Sequence, residues 1–111
     1  MKRLYLLLAL ITLVGCDALT GNSNIEYRVS GTAVRVSLTY EAESGSSQIS
    51  SAALPWSFAF RAKRGAFLYV SAQIIQGGGS VTVSIYKGES LYKTATSSGF
   101  AAIATASGTL D

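Results

Sequence analysis

Histidine is absent from this chain, and cysteine, proline, tryptophan and methionine occur once each. Without histidine the protein lacks the commonest general base and the commonest metal ligand. A single cysteine excludes an intramolecular disulfide and leaves no thiolate cluster for zinc. Charged residues are sparse, at 14%, and the acids are dispersed rather than grouped as a calcium loop requires. Long hydrophobic runs are also missing. The longest, Leu4 to Val14, has 11 residues, whereas a helix that crosses a bilayer needs about 20.

That short run has a context. It follows Met1-Lys2-Arg3 and ends at Gly15, just before the lone cysteine, Cys16. A positive start, a brief apolar stretch and a small residue at the cut have the pattern of a secretory signal. The order Leu13-Val14-Gly15-Cys16 resembles the lipobox of bacterial lipoproteins. The resemblance implies cleavage between Gly15 and Cys16, a diacylglyceryl group on the Cys16 sulfur, and a further fatty acyl chain, such as palmitate, on the new amine. Each buried methylene contributes about 0.8 kcal/mol, and stable anchoring takes more than one chain. The expected location is the bacterial cell envelope, anchored in a membrane and facing the periplasm or the exterior. Asp17 resembles the enteric signal for retention at the inner membrane, but which membrane holds this chain stays open.

The expected organisation is therefore a signal peptide over residues 1–15, a lipidated cysteine and flexible tether over 16–24, and one domain over 25–111. Asp17 to Asn24 is small, polar and turn-prone, as a tether should be. Without Lys2 and Arg3, seven basic side chains face six acidic ones. That near-balance lacks the clustered cations that nucleic-acid binding requires.

From Ile25 onward the hydrophobic period is two. Ile25, Tyr27 and Val29 alternate with polar residues, and so do Val34, Val36, Leu38 and Tyr40. Gly31 permits a bend or bulge between them. Gln48 to Ser51 is too polar for anything but an edge. Pro55 cannot donate to a ladder, so it marks an edge or a strand boundary. Trp56, Phe58 and Phe60 share a face, with Trp56 as the expected core anchor. Ala66 to Ile75 is long and apolar enough for a central strand. Gly77-Gly78-Gly79 is expected to be a loop without steric preference. Lys87 to Ser90 forms a hairpin turn, Phe100 to Thr105 the last strand, and Ala106 to Asp111 a tail that frays or adds a few ladder bonds. No helical period intervenes. The expected fold is all-β, an immunoglobulin-like sandwich of about seven or eight antiparallel strands.

Three groups of residues together carry a further resemblance: Tyr27-x-Val29-x-Gly31, Val36-x-Leu38-x-Tyr40 and Leu54-Pro55-Trp56. They continue in Gly79 to Ile85 and the hairpin at Lys87-Gly88. Their order over Tyr27 to Thr105 is similar to the extracytoplasmic domain of the MmpS-type accessory proteins. Those proteins accompany lipid-exporting transporters of the resistance-nodulation-division class. The resemblance implies the same sandwich and a role beside a membrane transporter. This chain differs in carrying a lipobox where such relatives keep a spanning helix, and in lacking their cysteine pair.

Catalytic chemistry finds little support. Without histidine a serine would need lysine or a carboxylate as its base. Lys63 and Lys87 fall in turns, and Glu41 and Glu43 flank another. Gly77 to Gly79 precedes no helix, so it lacks the context of a phosphate cradle. The expectation is a protein that is not an enzyme, with no cofactor and no metal. Contact surfaces remain. Arg61, Lys63 and Arg64 form the one basic cluster, either a solvated turn that guards an edge or a contact with anionic lipid. Tyr86 and Tyr92 would form an outward aromatic pair across a hairpin if both point out. The expected function is a lipid-anchored module that binds an envelope protein such as a transporter. The alternative is a carrier of an apolar small molecule or lipid, which would need a cavity of several hundred cubic ångströms.

Overall fold

A computed structural model describes residues 22–42 and 45–110. Gly15, Cys16 and most of the tether lie outside the described residues. Among the described residues eight strands follow one another without a helix: β1 (Ser23–Gly31), β2 (Arg35–Ala42), β3 (Gly45–Ala53), β4 (Trp56–Ala62), β5 (Phe67–Gln76), β6 (Ser80–Lys87), β7 (Ser90–Ser98) and β8 (Ile103–Thr109). They form two antiparallel sheets of four. Sheet A has the order β4-β1-β6-β7, and sheet B the order β3-β2-β5-β8. The sheets pack face to face, the layering of an immunoglobulin-like sandwich.

The period of two accounts for the core. Ile25, Tyr27 and Val29 on β1 point inward, as do Val36 and Leu38 on β2, Leu68 to Ile74 at alternate positions on β5, and Val81, Val83 and Ile85 on β6. All are buried, because β1, β2, β5 and β6 are the inner strands of their sheets. Among the described residues no polar or charged residue other than tyrosine is buried.

Tyr27 ties the sheets together. Its ring has no exposed surface, and its hydroxyl enters the ladder between β2 and β5. There it donates to the Glu41 carbonyl at 2.6 Å and accepts from the Tyr69 N–H at 3.1 Å. A buried phenol tolerates burial only when its hydroxyl is paired. Burial, partly offset by the Tyr69 N–H, pushes its pKa up to about 12.

Several local expectations are corrected. Trp56 is not the core anchor. It lies on β4, an edge strand, and is only half-buried. Trp56→Ala should therefore cost about 1–3 kcal/mol, below the 3–5 typical of a fully enclosed tryptophan, as urea unfolding would measure. The first strand starts two residues early, because Ser23 and Asn24 pair with Ala62 and Arg61. Val34 does not share the buried face of Val36, because it lies in the turn before β2 and is exposed. The last strand starts at Ile103 rather than Phe100, which sits in the preceding turn at 98% exposure. The tail takes the second of its two expected forms: residues 106–109 continue the ladder with β5, and Leu110 is buried and bonded to Ala66.

The glycine loop is also more constrained than its composition implies. A side chain at Gly77 would strike Val34, and one at Gly79 would strike Thr32. Gly31 is held more tightly still. Its φ is +140°, and an added Cβ would collide with the Ser80 carbonyl. Gly31→Ala should cost about 1–3 kcal/mol through strain and displacement, read as a lower unfolding midpoint.

Because the chain always turns back, the two ends of the sandwich differ. The start of β1, the 63–66 turn and the 88–89 turn share one end with the C-terminal residues. The turns at 32–34, 54–55, 77–79 and 99–102 share the other, and none of these contains a charged residue.

Candidate functional site

The sandwich is closed along one side and open along the other. On the closed side β7 and β8 lie against each other. Tyr92 covers Gly108 there, its ring 3.1 Å from where a Cβ would stand, and its hydroxyl donates to the Thr109 carbonyl at 2.6 Å. On the open side β3 faces β4 without a comparable approach. The gap is filled from β4. Val29, Tyr27 and Ile25 on β1 pair with Trp56, Phe58 and Phe60, so the three aromatics point inward with the core. Tyr40 of sheet B meets Trp56 at 5.2 Å and Phe58 at 5.0 Å between ring centroids. Tyr27 meets Phe60 at 5.1 Å. These tilted contacts suit ring quadrupoles. Trp56, Phe58 and Phe60 nevertheless stay only partly buried, since β3 presents Ser47, Ile49 and Ala52 toward them. The result is an aromatic row beside an unpaired strand edge.

The basic cluster occupies the end where β1 begins. Arg61 pairs with Asn24 in the ladder and donates to its Oδ1 at 3.2 Å. Lys63 and Arg64 are exposed in the turn that follows. Beneath them a cleft of about 590 Å³ opens between the sheets, with Phe60, Ala62, Ala66 and Leu68 in its wall and Arg61 and Lys63 at its rim. The volume falls within the range of small-molecule sites, and charge at the mouth over an apolar wall suits an amphiphile.

Tyr86 and Tyr92 are not an outward pair. A register shift between Ile85 and Tyr86 sets Tyr86 opposite Leu91 and turns Tyr92 toward β8. Sequence alternation carries no signal for a bulge that depends on both strands. Tyr86 remains on the outer face of sheet A. There the Arg28 guanidinium stands 4.1 Å over its ring and 2.8 Å from Glu26. The hydrogen bond that Arg28 donates to Glu26 is the main cause that raises the Arg28 pKa. This exposed triad is a surface network of small energetic weight.

The chain also holds two serine–lysine spacings of the kind that nucleophilic chemistry uses, Ser84 to Lys87 and Ser90 to Lys93. On regular β6, Ser84 and Lys87 point to opposite faces, and Ser90 and Lys93, which the register shift at Ile85 and Tyr86 brings to one face, are both exposed. The Ser84 hydroxyl bonds Thr94 at 3.1 Å. Among the described residues no group of three or more potential metal ligands occurs.

No family model matches the chain, and no curated protein matches it significantly. The functional reading therefore rests on the residues and their placement.

Proposed function

We infer that this chain is a lipid-anchored, non-enzymatic module of the bacterial envelope that presents a β-sandwich to a protein partner. One observation carries the reading. The tether enters β1 at the end that holds Arg61, Lys63 and Arg64, so lipid at Cys16 would bring those cations to the membrane surface. Each cation contributes about 1 kcal/mol near an anionic surface. The open side is then a contact surface for a partner beside the membrane. The β4 edge offers unpaired backbone groups to an extended segment, and Trp56, Phe58 and Phe60 offer apolar contact. A transporter subunit is the partner to which the MmpS-type resemblance points.

Photo-crosslinking in cells tests this. A photoreactive residue at Ala59, on the outer face of the β4 edge, should capture one defined envelope protein. The same residue at Thr105, on sheet B, should not. Equal, diffuse capture at both positions would contradict the reading. The cleft supports a second reading, a carrier of an apolar amphiphile. It predicts that a lipid co-purifies with the protein and is lost in Ala66→Trp, which would fill the cleft.

A further inference from the structure

We propose that the acylated protein rests on its own bilayer through the face formed by β5 and β8. The proposal builds on acylation at Cys16 and does not depend on which protein the open side meets. Its basis is the distribution of exposed apolar side chains. Phe67 and Ile75 near the two ends of β5, Ile103 on β8 and Phe100 in the turn before it are 56%, 50%, 55% and 98% exposed. They are four of the six large hydrophobic residues exposed among the described residues. Gln73 pairs with Ile103 and Ala104 is buried, which places Ile103 on the outer face of sheet B. Ile75 and Phe100 border one shallow depression beside it.

Charge is distributed in the complementary way. Neither β5, nor β8, nor the 99–102 turn contains a charged residue. On the rest of that face β2 carries Arg35 and Glu41, each hydrogen-bonded to a serine of β3, Ser51 and Ser46. The outer face of sheet A instead carries Glu26, Arg28 and Arg61. Bringing a charge toward a bilayer costs free energy, whereas aromatic rings favour the interface. Between the apolar ends, Ser71 and Thr105 bond each other at 2.9 Å, and their hydroxyls suit the headgroup layer.

The reach is sufficient. Residues 17–22 span up to about 20 Å, and a ten-residue strand is about 33 Å long. A domain lying on this face would set Phe67 beside the anchor and Phe100 at the far end of the same surface. Tethering to the bilayer supplies a high effective concentration, so a weak contact is populated.

The test uses the full acylated chain in phosphatidylcholine vesicles that contain a nitroxide-labelled lipid. Acylated Cys16 has no thiol, so single cysteines at Thr105→Cys on sheet B and Thr94→Cys on sheet A, both midway along the sandwich, can each carry a fluorophore. The expected result is several-fold stronger quenching at 105 than at 94. Phe100→Asp should bring the 105 signal down to the level at 94 while the protein still floats with the vesicles. Equal quenching at both positions, with flotation intact, overturns the resting face and leaves the anchor standing. Shielding at 105 that grows with protein density on the vesicle overturns it in favour of contact between copies. Failure to float removes the anchor and this proposal together.

Discussion

Tyr27→Ala is expected to leave the domain largely unfolded at 37 °C. The ring is fully enclosed, with Phe60 at 5.1 Å and Tyr40 at 6.2 Å. Emptying a site of that size costs about 3–5 kcal/mol. The Tyr69 N–H and the Glu41 carbonyl also lose their shared partner, adding about 1–3 kcal/mol for a buried group left unpaired. A domain of this size holds about 5–15 kcal/mol in total. Tyr27→Phe keeps the ring and removes only the hydroxyl, so it should lower stability by about 2 kcal/mol. In urea that appears as a lower midpoint with an unchanged slope.

The same hydroxyl sets a pH dependence. Its pKa is about 12 in the folded protein, above the ordinary value near 10 of an unfolded chain. The unfolded chain loses this proton first as pH rises. The contribution is complete below pH about 10 and is lost progressively up to about 12. The difference in stability between wild type and Tyr27→Phe should shrink across that window.

Cys16→Ser is expected to abolish incorporation of radiolabelled fatty acid completely, because serine offers no thiolate for thioether formation. The contrast with most surface substitutions is one of kind. Two or more acyl chains hold a protein on a membrane at about 0.8 kcal/mol per buried methylene, and the contacts of the sandwich itself are weak beside that. Substitution of Lys63 and Arg64 should instead leave labelling intact and change only how the domain sits.

Much of this architecture is legible in the sequence. The alternation of Val36, Leu38 and Tyr40, the length of Ala66 to Ile75 and the position of Pro55 mark strands and boundaries, because side-chain direction in a strand has a strict period. The hierarchy among core residues is not legible. Trp56 is the largest apolar side chain, yet size carries no information about whether a strand is central or at an edge. Tyr27 looks like one alternating residue among several until β2 and β5 bring Glu41 and Tyr69 to its hydroxyl. Bulges escape for a related reason. The shift at Ile85 that turns Tyr92 inward arises from pairing between two strands, and the small side chains of Ala106 and Gly108 leave open in the sequence whether residues 106–109 fray or join the ladder. At the candidate site the aromatic row is visible in the order of residues. Its exposure follows from the gap between β3 and β4, which only the tertiary arrangement reveals.

The intact mass of the protein purified from its own envelope tests lipid anchoring most directly. The expected mass is that of a chain that begins at Cys16 and carries a diacylglyceryl group, with or without a further acyl chain on its amine. A mature chain that begins elsewhere, or one in which Cys16 keeps a free thiol, would contradict it.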